Sequence, residues 1–156
     1  MAKQSELDKV YINMAQELST LSKAERAKVG TIIVKDNQII AEGYNGTPIG
    51  FDNRCEYYDH VGHWHTKPEV LHAESNAITK LARSTQSSCG ATLYTTLSPC
   101  FDCAKLIVQA GIKRVVYKEP YRYADSGLAL LDKANIQVEM AETQPDERVH
   151  SGETKE

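Results

Sequence analysis

Two short segments constrain this chain more than anything else in it: His72-Ala73-Glu74 and, twenty-five residues after Glu74, Pro99-Cys100-Phe101-Asp102-Cys103. Each stands where a helical run begins. Imidazole and thiolate donors suit zinc, so the fold is expected to bring both helix starts, with His72, Cys100 and Cys103, to one point. Three protein ligands leave the fourth tetrahedral position for water, as a catalytic site needs; a structural site would ask for a fourth ligand. Pro99 is expected to pre-set the first turn of its helix, and the positive helix end favours both cysteines as thiolates. Glu74, two residues beyond His72, points away from the metal and is placed to act as the acid-base.

The rest of the chain reads as an alternation. Leu7, Val10, Tyr11, Met14, Leu18 and Leu21 recur every three or four residues, which predicts an amphipathic helix over 5–21. The runs 29–35 and 38–44 are β-rich and flank Asp36-Asn37, hence an antiparallel hairpin. Helical spacing returns at 71–83 and at 101–110, where Gly111 stops it. Strands are predicted at 91–96, 113–118 and 136–140, with a last helix at 127–134. The order α, β-β, α, β, α, β, α, β implies a mixed sheet with helices on both faces. The stretch 45–68 holds three glycines, two prolines and three histidines and is predicted as a loop, long enough to suggest that it binds something.

With 156 residues one domain is expected, formed by 1–140, with 141–156 as a polar, mobile tail. The formal net charge of -3 belongs to that tail, whose five acidic and two basic side chains leave 16 of each sign in 1–140. A domain that grips a nucleic-acid backbone carries a basic excess, so no nucleic-acid partner is expected. No window approaches eighteen apolar residues and the start is polar, so no membrane partner is expected and the chain is read as cytoplasmic, in the host cytoplasm if viral. In a reducing compartment Cys55, Cys89, Cys100 and Cys103 are read as thiols and ligands rather than disulfides.

The combination of His-x-Glu with Pro-Cys-x-x-Cys is the signature of zinc nucleobase deaminases, and the likeness extends further. Gly43-Tyr44-Asn45-Gly46-Thr47-Pro48-Ile49-Gly50, His72-Ala73-Glu74-Ser75-Asn76-Ala77-Ile78 and Thr96-Leu97-Ser98-Pro99-Cys100-Phe101-Asp102-Cys103 closely resemble the deoxycytidylate (dCMP) deaminases of phages and eukaryotes, over about 5–140. The resemblance implies a cytidine-deaminase-like α/β fold, a three-layer α/β/α sandwich with a five-stranded mixed sheet. It implies hydrolysis of dCMP to dUMP and ammonia, with Zn2+ held by His72, Cys100 and Cys103 and protons moved by Glu74. Substrate contacts are implied at Asn45 for the sugar, at the Ala73 backbone N–H for the base carbonyl, and at Asn76 and Ser98. Arg122 and Tyr123 lie where such enzymes place an aromatic hydroxyl near the phosphate, and an arginine fork suits phosphate oxygens.

The same resemblance implies a homo-hexamer, activated by dCTP and inhibited by dTTP, each with Mg2+. For that regulatory triphosphate the candidate contacts are Arg26, Lys28, Gly46, Thr47, Pro48 and Gly50. A dCTP-accepting deaminase, a nucleic-acid deaminase and a zinc scaffold without activity remain alternatives, the neutral 1–140 region speaking against the second. Cys55, His60, His63 and His65 lie within eleven residues, with Glu69 close behind. Some phage members of the family bind a second, structural zinc in this region. Here no cysteine precedes Cys55 to supply a ligand from the first helix, so a polar loop that happens to hold histidines is expected.

Overall fold

Helix and strand alternate along the chain, and a computed structural model describes residues 1–142. The tail read over 141–156 thus lies, beyond its first two residues, outside the described residues. The elements are α1 (Gln4–Ser19), β1 (Gly30–Lys35), β2 (Gln38–Tyr44), β3 (Glu56–Tyr58), β4 (Trp64–Thr66), α2 (Ala73–Leu81), β5 (Thr92–Leu97), α3 (Phe101–Gln109), β6 (Arg114–Glu119), α4 (Asp125–Lys133) and β7 (Gln137–Met140). Five strands form one sheet in the order β2-β1-β5-β6-β7. β1 runs antiparallel to β2 and β5, whereas β6 runs parallel to β5 and β7. This is the mixed five-stranded sheet of the expected α/β fold.

Successive side chains of a strand point to opposite faces, and here both faces are apolar. Ile32, Val34, Tyr94 and Val116 pack against Tyr11, Ile12 and Ala15 of α1. Ile33, Leu93 and Val115 pack on the other face against Ala77 and Leu81 of α2, Ala104 and Ile107 of α3 and Leu131 of α4. The layers are one helix, the sheet, and three helices. Asp36 and Asn37 both take positive φ, 50° and 59°, which closes the β1–β2 hairpin with the two-residue turn that strand twist favours. Among the described residues no helix is long and apolar enough to cross a membrane.

Three local expectations need correction. The region 45–68 is not one loop: β3 and β4 pair antiparallel, Tyr57 opposite His65 and Tyr58 opposite Trp64. Strands of three residues are too short for alternation to register; the aromatic residues around Asp59 to Gly62 were their trace. α4 starts at Asp125 rather than at 127. Pro99 stands one residue before the N-cap Cys100 and not inside the first turn of α3.

One buried ionic network ties α1 to the sheet. Arg114, 8% exposed, donates from Nη1 and Nη2 to Asp8 at 2.8 and 2.7 Å, and from Nη2 to Glu139 at 2.7 Å. Tyr94 Oη donates to Asp8 Oδ1 at 2.6 Å. Burial pushes the Asp8 carboxyl up, but the bonds from Arg114, Tyr94 and Gln4 outweigh it and hold the group below its ordinary 3.8. Arg114→Leu leaves Asp8 and Glu139 facing each other without a counter-charge and is expected to cost about 3 kcal/mol at pH 7, measured by urea unfolding. A depressed carboxyl contributes fully above its unfolded pKa and loses that contribution as pH falls through the folded one. The gap between wild type and variant is therefore expected to narrow below pH 3.8.

Candidate active site

His72 is the N-cap of α2 and Cys100 the N-cap of α3, both in extended backbone (φ -71, ψ 157 and φ -70, ψ 172). Neither side chain hydrogen-bonds to its own helix start. An N-cap residue ordinarily spends its side chain on the free N–H groups behind it, so these two are available for other partners, and they turn toward each other. Cys100 Sγ lies 3.5 Å and Cys103 Sγ 3.3 Å from His72 Nδ1. The three donor atoms all lie within 4.8 Å of one another.

Two glycines let the backbones come this close. A Cβ on Gly43 of β2 would stand 2.5 Å from the Ala73 carbonyl oxygen and 2.7 Å from Ala77 N, so only glycine lets α2 seat on the sheet. A Cβ on Gly127 of α4 would stand 2.4 Å from the Pro99 carbonyl oxygen, at the corner that presents Cys100. Neither was singled out as a site residue; their trace in the sequence is a glycine inside a strand and one inside a helix. Gly127→Ala is expected to push α4 away from that corner, cost about 2 kcal/mol, and lower zinc content, read by thermal unfolding and metal analysis.

The charges fit a soft divalent metal. Hydrogen bonds from Cys103 and His72 hold Cys100 as a thiolate, its pKa pulled down to about 4. Cys103, sharing its proton with Cys100 and buried, is pushed up, and the bond to Cys100 raises His72. Two sulfurs and one imidazole nitrogen, without a hard oxygen donor among them, are what zinc takes. Glu74 stands outside this donor set. It is 4% exposed, burial raises its carboxyl above the usual range, and Thr95 Oγ1 donates to its Oε1 at 3.4 Å. A carboxyl poised toward neutrality suits proton transfer.

A cavity of about 330 Å³ opens over His72, Ala73, Glu74 and Cys100. One wall is Ser98 with the segment Tyr121, Arg122 and Tyr123. Ser98 builds it: its hydroxyl accepts the Tyr121 N–H at 2.6 Å and its own N–H donates to the Glu119 carbonyl at 2.9 Å. The Arg122 guanidinium lies 4.6 Å from the centre of the Tyr123 ring, which meets Tyr121 edge-on. Another part of the wall is formed by Arg26, Ala27, Val29, Asn45, Glu56 and Thr66. Asn45 spends both ends of its amide on that wall, accepting from Val29 N–H at 2.9 Å and donating to the Ala27 carbonyl at 2.8 Å.

The remaining sequence candidates fall apart in space. Asn76 donates to the Tyr44 carbonyl at 3.0 Å and stands outside the cavity wall. Arg26 is on the wall, its guanidinium 5.9 Å from the Trp64 ring centre, whereas Lys28 Nζ donates to the Ser22 carbonyl at 2.6 Å. Gly46 pairs with Leu71 in both directions, Gly50 turns the chain at φ 87, and neither they nor Thr47 and Pro48 line the cavity. The soft donors of 45–68 do not converge around Cys55, which is fully buried with its thiol on the Asn53 carbonyl. His65 and His63 meet Asp59 instead, at 2.8 and 3.6 Å, while Asp59 Oδ1 accepts from Val61 and His63 N–H, so the three clasp the β3–β4 tip. Glu56 was missed; nothing in sequence marks one glutamate among many as buried.

A buried carboxylate beside two thiols and an imidazole, where β5 hands over to a helix, is the arrangement of zinc-type hydrolytic deaminases. Comparison with known proteins narrows this class: the family described as "Cytidine and deoxycytidylate deaminase zinc-binding region" matches residues 5–119, and the chain belongs to it. It is 37% identical to the deoxycytidylate deaminase of Enterobacteria phage T4, over 81% of this chain and 86% of that protein. To the deoxycytidylate deaminase of Saccharomyces cerevisiae it is 36% identical, over 84% of this chain and 43% of that one. It is also similar to the crystal structure of dCMP deaminase from the cyanophage S-TIM5 in complex with dCMP and dUMP, with TM-score 0.82 and 44% identity, covering 90% of this chain and 99% of that one.

Proposed function

We propose that this protein hydrolyses dCMP to dUMP and ammonia, water adding at C4 of the pyrimidine and the 4-amino group leaving. The observation that carries the reading is Glu74, buried beside the His72, Cys100 and Cys103 cluster at the floor of a nucleotide-sized cavity. It is supported by relatives named for this reaction and by the dCMP and dUMP held in the cyanophage protein. Zinc, when held by His72, Cys100 and Cys103, supplies Lewis-acid activation of water near neutral pH. Glu74 takes a proton from the attacking water and delivers it to N3, then takes the proton of the new C4 hydroxyl and gives it to the departing amine as the C4 carbonyl forms. Ala73, first residue of α2, has one of the N–H groups a helix start leaves without an internal partner, and it suits the base carbonyl. Ammonia release from dCMP, run beside dCTP, cytidine and an oligonucleotide, tests the reading; no release from dCMP overturns it.

The phosphate belongs at Arg122, held on the wall by the Ser98 to Tyr121 bond. Arg122→Ala is expected to raise KM for dCMP about tenfold to a hundredfold while kcat changes little, because the guanidinium binds ground and transition state alike. A dCTP substrate is the second reading, favoured by Arg26 on the same cavity, and the parallel assay separates the two. Regulation by dCTP and dTTP with Mg2+, in a homo-hexamer, belongs to the same proposal and is supported by the likeness of the Gly43 to Gly50 stretch. A rate curve in dCMP unmoved by either triphosphate, or a monomer by solution mass, removes it.

A further inference from the structure

Two carboxylates line the cavity, and the mechanism uses one of them. The other, Glu56, is 5% exposed, and its Oε1 accepts the backbone N–H groups of Glu25 at 2.9 Å and Arg26 at 3.2 Å. Those bonds fix the carboxyl group but occupy a single oxygen. Among the described residues no cation pairs with Glu56, and Oε2 receives no hydrogen bond. No buried side-chain oxygen there is without a partner, so Oε2 is reached from open space, and the space Glu56 lines is the cavity.

A mostly buried carboxylate with one oxygen open to the cavity offers a free acceptor, which a ligand that displaces the water there must meet with a donor. Resting on the dCMP reading of the site, two groups of the substrate can donate: the 4-amino group and the 3′-hydroxyl of the sugar. The amine belongs at Glu74, where it leaves, and the 5′-phosphate is an anion that a carboxylate repels. Asn45, the residue expected at the sugar, accepts from Val29 and donates to Ala27, which leaves it one N–H and one lone pair with which to share the sugar with Glu56. We propose that Glu56 Oε2 accepts the hydrogen bond of the 3′-hydroxyl and makes the site select nucleotides whose 3′ end is free. The same carboxylate then rejects a 3′-phosphodiester by charge, which keeps single strands of nucleic acid out of a cavity that must admit their bases' monomers.

The test compares kcat/KM for dCMP, its 2′,3′-dideoxy analogue, its 3′-fluoro analogue and deoxycytidine 3′,5′-bisphosphate, in wild type and in Glu56→Gln. The glutamine retains an acceptor for Glu25 and Arg26 and presents an amide N–H to the cavity. Wild type is expected to prefer dCMP over the dideoxy and 3′-fluoro compounds by about tenfold to a hundredfold, and over the bisphosphate by more. In Glu56→Gln the preference over the 3′-fluoro compound is expected to shrink to about threefold or less, with the loss on dCMP falling mainly in KM. Equal ratios in the two proteins would make Glu56 a clasp for the Glu25 to Arg26 backbone and overturn the proposal. Should the variant fail to fold, the wild-type ratios decide: a wild type indifferent to the 3′ group overturns it. A wild type that releases no ammonia from dCMP overturns the substrate reading and this proposal together, whereas deamination of dCMP without 3′ discrimination overturns this one alone.

Discussion

Glu74→Gln is expected to lower kcat for dCMP by about 10⁴-fold while zinc stays bound at one per chain. The glutamine matches the glutamate in shape and can still accept from Thr95, and it removes no atom of the His72, Cys100 and Cys103 donor set. What it removes is the proton. An amide neither takes one from water nor gives one to N3, so the addition at C4 would have to build charge on the ring without relief. Since Glu74 is 4% exposed, bulk water cannot replace it readily as a proton source. Ammonia release measured beside metal content decides: near-normal turnover in the variant sinks the acid-base assignment, and loss of zinc would place Glu74 among the groups that hold the metal.

The sheet was legible in the sequence because β1, β5 and β6 are six residues long and rich in β-branched and aromatic residues, so they stand out against the helical spacing around them. The β3–β4 hairpin was not, since three residues on each side have no period to read. His72, Glu74, Cys100 and Cys103 were legible because metal chemistry needs those donor types at helix starts, which is a local requirement. Gly43 and Gly127 were not, since what they do is let one backbone approach another from a distant element. Arg26 shows the same limit: its place on the cavity wall beside Trp64 depends on the β3–β4 hairpin, which the sequence did not show.

Cys103→Ala is expected to remove zinc, turnover and part of the stability at once. Cys103 is the deepest of the three donors, 2% exposed on the third residue of α3, and its loss leaves His72 and Cys100 alone. Two donors do not hold zinc against water, so metal content is expected to fall below about a tenth per chain and deamination to background. The stability effect follows from linkage: a metal that binds the folded chain adds RT ln(1 + [L]/Kd) to unfolding free energy, about 4 kcal/mol at a thousandfold excess over Kd. A strong chelator is therefore expected to lower the unfolding midpoint of wild type and to leave that of Cys103→Ala unmoved. Cys89→Ala is the control, since Cys89 is exposed and outside the donor set, and it is expected to retain zinc, rate and the response to chelator. A Cys103→Ala protein that still binds one zinc and still loses stability to chelator would show that the metal is held elsewhere, with Asp59, His63 and His65 the next donors to substitute.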